Sequence, residues 1–139
     1  MGLYEADFYA WTQQTADQLR RGEFSALDMA ELVEEVIDMG NRHRDQLESR
    51  LTILIAHMLK WDYQPDKRSN SWRATIKLQR NRIQRLLKRM PSLGSALQEV
   101  LLEAYEDATA LASEETTFPE SRFPASLPYT MLEILSKES

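Results

Sequence analysis

The sequence predicts an all-α protein, and three observations support that fold class. Apolar residues recur at three-to-four spacing through most of the chain, no segment alternates apolar and polar residues as a half-buried strand would, and the helical stretches are joined by short connections. With 139 residues, 42% of them apolar and 28% charged, the chain is long enough to bury one core. We therefore expect residues 1–139 to form a single domain: an antiparallel four-helix bundle with one long helix, a proline-rich C-terminal strap and a short final helix.

The first helix is predicted over residues 7–21. Gly22 follows at a position where helices commonly end in a left-handed residue, and Arg20 and Arg21 suit the negative end of the helix dipole. The three-to-four spacing gives this helix an apolar stripe made of Tyr4, Phe8, Trp11, Thr15 and Leu19.

The second helix is predicted over residues 26–62 and would be about 55 Å long. Ser25 and Asp28 have the spacing of a capping box at its start, and Gly40 is the expected position of a bend. The second half is apolar over a wider arc than the first half, so more of it should be buried. The apolar stripe runs through Met29, Val33, Val36, Gly40, His43, Leu47, Leu51, Leu54, Met58 and Trp61.

The third helix is predicted over residues 72–90, after a loop marked by Pro65 and a cluster of serine and asparagine. Ser69 or Ser71 can accept a hydrogen bond from the first turn of this helix. Pro91 should end the helix, because proline disfavours helical geometry in the residue before it.

The fourth helix is predicted over residues 95–115, with Ser95 and Gln98 as a possible capping box. Three prolines then prevent a regular helix, so the next segment should lie across the bundle as an extended strap. A short last helix is predicted over residues 128–136, with Pro128 in its first turn. The strap should pack through its apolar residues, which are Phe118, Phe123 and Leu127.

Composition excludes several classes of protein. The chain has no cysteine, which excludes disulfides, thiolate metal sites and cysteine nucleophiles. A membrane-spanning helix needs about 20 apolar residues, and the longest apolar run, residues 51–56, is far shorter. The first residues lack the basic start and the apolar stretch of a secretory signal. We therefore expect a cytoplasmic protein without a membrane partner.

Four short motifs occur in the order and spacing of one bacterial family. They are DFYAW (Asp7–Trp11), EEVIDMG (Glu34–Gly40), HMLKW (His57–Trp61) and SWRATI (Ser71–Ile76). Over essentially its whole length the chain therefore resembles the domain-of-unknown-function family twenty-nine (DUF29). The resemblance implies an all-helical bundle of bacterial origin. It implies no substrate, activity or catalytic residue, because none is established for that family.

Charge is distributed unevenly along the chain. The net charge is −5, but residues 66–89 carry nine basic side chains and one acidic side chain between two acidic blocks. This basic third helix could contact nucleic-acid phosphates, through Arg73, Lys77, Arg80 and Lys88. The alternative is that acidic residues on the fourth helix neutralise these four cations. The acidic residues that recur at the same spacing are Glu99, Glu103, Asp107 and Glu114. The acidic isoelectric point, near 5.1, argues against a dedicated nucleic-acid binder.

Carboxylates cluster near the start of the second helix. Glu34, Glu35 and Asp38 form a string similar to the metal-binding sequence of helical nucleotide pyrophosphohydrolases. Those enzymes place a second carboxylate pair on the next helix, whereas the comparable pair here, Glu103 with Glu106 or Asp107, falls on the fourth helix. A metal-dependent hydrolase is therefore a further alternative. The expected arrangement is a solvated acidic helix face without metal or cofactor.

The two histidines show no catalytic spacing. His43 lies on the apolar stripe of the long helix, so we expect it in the core or between helices. His57 has no serine or carboxylate spaced as a partner, so nothing in the sequence supports a general base there.

Large aromatics bracket the loop between the second and third helices. They could anchor a partner protein, because tryptophan, tyrosine and arginine dominate the centres of interfaces. The alternative is that they clamp the loop onto the end of the bundle, which is the commoner role of buried aromatics. The candidate partner-binding residues are Trp61, Tyr63, Arg68, Trp72 and Arg73.

Taken together, these patterns predict a non-enzymatic helical module that binds another protein or itself. No nucleophile–base pair, glycine-rich phosphate loop or clean ligand set occurs in the sequence, so we expect no catalytic residue. The long helix would extend past a compact bundle and expose an apolar end. A homodimer is one way to cover such an end.

Overall fold

The computed structural model describes residues 2–136, and the predicted all-α class is confirmed. No strand occurs among these residues, and none of their helices has the length and apolarity needed to cross a membrane. Short 3-10 turns precede or follow several helices. The α-helices are α1 (Leu3–Ala6), α2 (Phe8–Arg20), α3 (Met29–Tyr63), α4 (Asn70–Arg89), α5 (Leu97–Thr116) and α6 (Met131–Ser136).

The described chain divides into two compact units, and α3 runs through both of them. The first unit ends at Arg42, and the second begins at His43. The hydrophobic core of the second unit combines side chains from α3, α4, α5, α6 and the strap. The predicted bend at Gly40 stays a prediction, since α3 is helical without interruption through this residue.

In the first unit, Asp7 separates α1 from α2 and caps the latter. Its carboxylate accepts a hydrogen bond from the backbone N–H of Ala10 at 3.1 Å. Tyr4, Phe8 and Trp11 form an aromatic cluster, with ring centroids 4.9 Å apart for Tyr4 and Trp11. Gly22 follows α2 with a φ of 72°, which confirms the predicted left-handed end.

The start of α3 differs from the prediction by three residues. Asp28 accepts a hydrogen bond from the backbone N–H of Glu31 at 3.1 Å, and the helix begins at Met29. The predicted capping box of Ser25 and Asp28 is wrong, because Ser25 lies in a separate 3-10 turn, Phe24–Ala26. Asp28 caps α3 alone.

The second half of α3 is the buried half, as its wider apolar arc predicted. The side chains of Leu47, Leu51, Leu54, Ile55 and Leu59 have no exposed surface. No residue of α3 before Leu47 is buried. The core of the second unit therefore starts at Leu47, and the expectation that His43 lies in the core is wrong, since His43 is exposed.

Both ends of α4 agree with the prediction, whereas the start of α5 does not. Ser69 caps α4 by accepting a hydrogen bond from the backbone N–H of Trp72 at 3.2 Å, and Pro91 stops the helix after Arg89, as predicted. The capping box predicted at Ser95 is wrong. The Ser95 hydroxyl donates to the carbonyl of Ser92 instead, within the 3-10 segment Pro91–Ala96 that leads into α5.

The C-terminal strap packs as predicted. Phe123 is buried, and Phe118 and Leu127 pack against the core. The phenol of Tyr105 on α5 donates a hydrogen bond to the carbonyl of Pro124, which ties the strap to the bundle.

Helix α6 begins at Met131, three residues after the predicted start, with a capping box that the prediction missed. The Thr130 hydroxyl accepts from the N–H of Glu133, and the Glu133 carboxylate accepts from the N–H of Thr130, both at 3.1 Å. The other end of α6 is held by Arg80 of α4, which donates to the carbonyls of Glu133 and Ile134 at 3.0 and 2.9 Å. A guanidinium there also suits the negative end of the helix.

We expect Leu54→Ala to lower the free energy of unfolding by about 2–5 kcal/mol, because it leaves a cavity in a fully packed core. Leu102→Ala is the matched control, since Leu102 is 67% exposed and should change stability by less than about 0.5 kcal/mol. Urea unfolding followed by circular dichroism measures both. Equal effects of the two substitutions would contradict the assigned core.

We expect Arg80→Ala to lower the free energy of unfolding by about 1–3 kcal/mol, because the buried carbonyl of Ile134 and the half-buried carbonyl of Glu133 lose their donor. The loss should be accompanied by faster hydrogen exchange over residues 131–136. Arg85→Ala on the same helix is the control, since Arg85 is exposed. Unchanged exchange in α6 after Arg80→Ala would refute the anchoring role of this residue.

Candidate functional site

Three of the five predicted partner-binding residues come together at the end of α3. The guanidinium carbons of Arg68 and Arg73 lie 4.9 and 5.4 Å from the ring centre of Trp61. Nε of Arg68 also donates to the carbonyl of Trp61 at 2.8 Å. The loop before α4 and the first turn of α4 are thereby held against Trp61 by cation–π contacts and a hydrogen bond.

The other two predicted residues lie apart from this group. Tyr63 contacts Phe123 of the strap edge to face, with ring centres 5.1 Å apart. Trp72 lies under the ammonium group of Lys60, which pairs with Glu115 at 3.0 Å. Trp61 and Tyr63 differ by two positions on one helix, about 200° of rotation, so they face opposite sides. These contacts agree with the alternative interpretation of the sequence, in which the aromatic residues hold the loop on the end of the bundle. Partner binding by the five residues stays a prediction.

A small cleft of about 220 Å³ lies beside Trp61. The Tyr129 hydroxyl donates to a carboxylate oxygen of Asp62 across it at 2.7 Å. Burial, together with this hydrogen bond, raises the pKa of Tyr129, so the phenol stays protonated. The cleft is smaller than typical small-molecule sites, which measure roughly 300–1,000 Å³. Sequence spacing could not have found Tyr129, because it lies 67 positions from Asp62.

The carboxylate cluster of α3 is divided between internal contacts and solvent. Glu35 accepts a hydrogen bond from the phenol of Tyr4, and this bond raises the pKa of Tyr4. Partial burial raises the pKa of Glu31, and the neighbouring Trp11 opposes that rise. Glu34 and Asp38 are exposed. Within residues 2–136 the structure gathers no group of three histidine, aspartate or glutamate side chains able to hold a metal ion.

His57 is committed to a structural hydrogen bond. Its Nδ1 donates to the carbonyl of Ile53, one turn earlier, at 2.8 Å. Burial lowers the pKa of His57, so the ring stays neutral around pH 7.

The basic residues of α4 do not form one continuous surface. Arg73 lies against Trp61, Lys77 is exposed, and Arg80 is buried with its donors bound to α6. Burial lowers the pKa of Arg80. Lys88 lies about two turns beyond Arg80, in a groove that is also lined by four arginines. Nucleic-acid binding by these four residues stays a prediction, with Arg80 already engaged inside the protein.

The neutralisation predicted between α4 and α5 is wrong. The acidic side chains of α5 pair with α3 instead: Arg44 lies 3.7 Å from Glu99 and 3.4 Å from Glu103, and Glu115 pairs with Lys60. No side chain of α4 forms an ion pair with any residue between 2 and 136.

The first half of α3 carries an exposed apolar surface, which we call the apolar face. Its four side chains are between 53% and 59% exposed, and they are Met29, Val33, Val36 and Ile37. Around a helix these positions fall within an arc of about 100°. The arc that contacts α1 and α2 is a different one, occupied by Glu31 and Glu35. The apolar face is thus left open by the contacts of the first unit.

Comparison with known proteins gives one family match. The sequence matches the family model described as Domain of unknown function DUF29 over residues 3–139, nearly the whole chain. No curated protein and no solved structure matches the chain. The family assignment rests on this match and agrees with the resemblance of the four motifs. The chain belongs to the DUF29 family of domains of unknown function.

Proposed function

We propose that the chain is a non-enzymatic helical module that binds another protein through the apolar face of α3. The observation that supports this function is the exposure of Met29, Val33, Val36 and Ile37, each more than half open to solvent. Burial of one such side chain contributes roughly 1.5–3 kcal/mol. Monomers seldom leave a contiguous apolar surface uncovered, and such surfaces commonly bind partners.

The charge of the first unit favours a basic partner over a second copy. Up to Arg42 the chain carries three basic and nine acidic side chains. Glu34 and Asp38 are exposed next to Ile37, so the apolar face has an acidic border. A second copy would bring two strongly acidic units together, whereas a partner with basic flanks would be attracted. We infer a partner segment with an apolar stripe and flanking lysine or arginine, such as an amphipathic helix.

The proposed place of action is the cytoplasm. A chain without cysteine depends on no disulfide for its stability, which suits a reducing compartment.

The proposal is tested with two synthetic amphipathic peptides that share one leucine stripe and differ in their flanks, lysine in one and glutamate in the other. We expect saturable binding of the lysine peptide, and at least tenfold weaker binding to the variant Val33→Gln/Ile37→Gln, because two apolar contacts are lost. Glutamine is a good helix former, so α3 should persist. Isothermal titration calorimetry gives the affinities, and circular dichroism checks the fold.

The control variant is Leu102→Gln/Leu132→Gln, which removes two leucines of the second unit that are more exposed than Val33 and Ile37. It should bind the lysine peptide within twofold of the natural chain. Equal binding of both peptides, or undiminished binding by Val33→Gln/Ile37→Gln, would refute the proposed surface. A dimer in sedimentation experiments that this variant abolishes would identify a second copy as the occupant and refute the basic partner.

A capture experiment extends the test to natural partners. Nuclease-treated extract of the source organism is passed over the natural chain and both variants, and the bound proteins are quantified by mass spectrometry. We expect one protein to be retained by the natural chain and the control and lost from Val33→Gln/Ile37→Gln. Retention of the same proteins by all three chains would contradict the proposal.

A further inference from the structure

A groove between α3 and α4 in the second unit concentrates positive charge. Its volume is about 600 Å³, and its floor is the apolar side chain of Leu86. Arg82, Arg85 and Arg89 recur at three-to-four spacing and so share one side of α4. We call this site the basic groove, and its polar lining is Gln46, Arg50, Arg82, Arg85, Lys88 and Arg89.

Among residues 2–136, no acidic side chain lines the basic groove or pairs with one of its cations. Five of the six polar lining residues are cations and none is acidic. The acids of α5 that form ion pairs, Glu99, Glu103 and Glu115, pair with Arg44 and Lys60 of α3 and not with the groove. The carbonyl end of α4 offers only about half a negative charge to Lys88 and Arg89. Several like charges are thus held close together with little to offset them.

Arg50 shows the consequence most directly. It is partly buried on α3, and it has no hydrogen-bond or ion-pair partner among the described residues. Burial, and then the neighbouring charge of Arg82, lower the pKa of Arg50. A guanidinium stays charged in spite of such a shift, so an anion that enters the groove would relieve unfavourable charge.

The lining selects phosphate groups over other features of a ligand. Guanidinium groups donate paired hydrogen bonds to phosphate oxygens, and four arginines are present. Among residues 2–136, the groove is lined by no aromatic side chain on which a nucleic-acid base could stack. The volume falls within the range of small-molecule sites. A long polyanion would in addition meet a chain of net charge −5, which disfavours it relative to a compact ligand.

We propose that the basic groove binds a compact ligand that carries several linked phosphate groups, such as a short polyphosphate chain or the triphosphate of a nucleotide. Four guanidinium groups and one ammonium group would surround the phosphate oxygens. The site is separate from the apolar face and does not depend on the proposed protein partner.

Titration calorimetry of the full chain with sodium tripolyphosphate tests the proposal. We expect saturable binding that weakens at least fivefold when sodium chloride rises from 50 to 200 mM, because salt screens the attraction. The variant Arg82→Gln/Arg85→Gln/Arg89→Gln should bind at least tenfold more weakly. Its control, Arg20→Gln/Arg21→Gln/Lys77→Gln, removes the same charge outside the groove and should bind within twofold of the natural chain. Thermal unfolding verifies that each variant is folded. If the triple variant of the groove is destabilised, the single variant Arg85→Gln replaces it, and we expect its affinity for tripolyphosphate to be about threefold lower.

Parallel titrations identify the source of the phosphate groups. ATP should bind within threefold of tripolyphosphate if the phosphates alone are recognised, and binding more than tenfold tighter would show that the nucleoside is recognised as well, against the proposal. A 20-nucleotide RNA and vesicles containing phosphatidylglycerol are titrated in the same way. If either binds at least tenfold more tightly than tripolyphosphate, and this binding is lost in the Arg82→Gln/Arg85→Gln/Arg89→Gln variant, the ligand of the groove is nucleic acid or membrane and not a compact phosphate compound. Absence of saturable binding, or equal losses in both triple variants, would also overturn the proposal.

Discussion

The buried stripe of α3 between Leu47 and Leu59 is the constraint on which the second unit depends. Its leucines and Ile55 are fully enclosed, and each contributes roughly 1.5–3 kcal/mol through removal from water. The elements of this unit also meet α3 through specific contacts. Arg80 of α4 reaches Met58, Glu103 of α5 pairs with Arg44, and Tyr63 contacts Phe123 of the strap. Exposed ion pairs contribute about 0–1 kcal/mol, so the core supplies the stability and these contacts fix which element lies where.

The same helix serves two purposes because its stripe is buried in one half and exposed in the other. From Leu47 onward the stripe is core, whereas Met29, Val33, Val36 and Ile37 remain more than half exposed. In the first unit the aromatic cluster of Tyr4, Phe8 and Trp11 meets α3 through Glu31 and Glu35. These contacts use a polar part of the helix and leave its apolar part exposed. The acidic border of that surface sets the chemistry of the partner we propose.

The cations of α4 divide in a comparable way. Arg80 is buried and holds the end of α6, Arg73 stacks on Trp61, and the exposed arginines line the basic groove. All are arginines of one helix, and helical spacing already places Arg82, Arg85 and Arg89 on a different side from Arg73 and Arg80. Their different roles come from the element that each one contacts. Arg80 contacts α6, Arg73 contacts the end of α3, and the arginines of the basic groove lie beside the middle of α3. The predicted stripe of nucleic-acid contacts assumed one common surface and therefore grouped residues that the fold separates.

The sequence by itself determined the helices and several of their limits, although the equally local capping boxes predicted at Ser25 and Ser95 are wrong. Gly22, Ser69 and Pro91 act on backbone groups within one helical turn, so their effects follow from neighbouring residues alone. The capping box of Thr130 and Glu133 is equally local and could have been recognised. Only the tertiary structure decided that His43 is exposed, that the acids of α5 pair with α3, and that Tyr129 meets Asp62. Helical periodicity tells which residues share a face, but what covers that face depends on residues distant in sequence, and their position is fixed only when the core is packed.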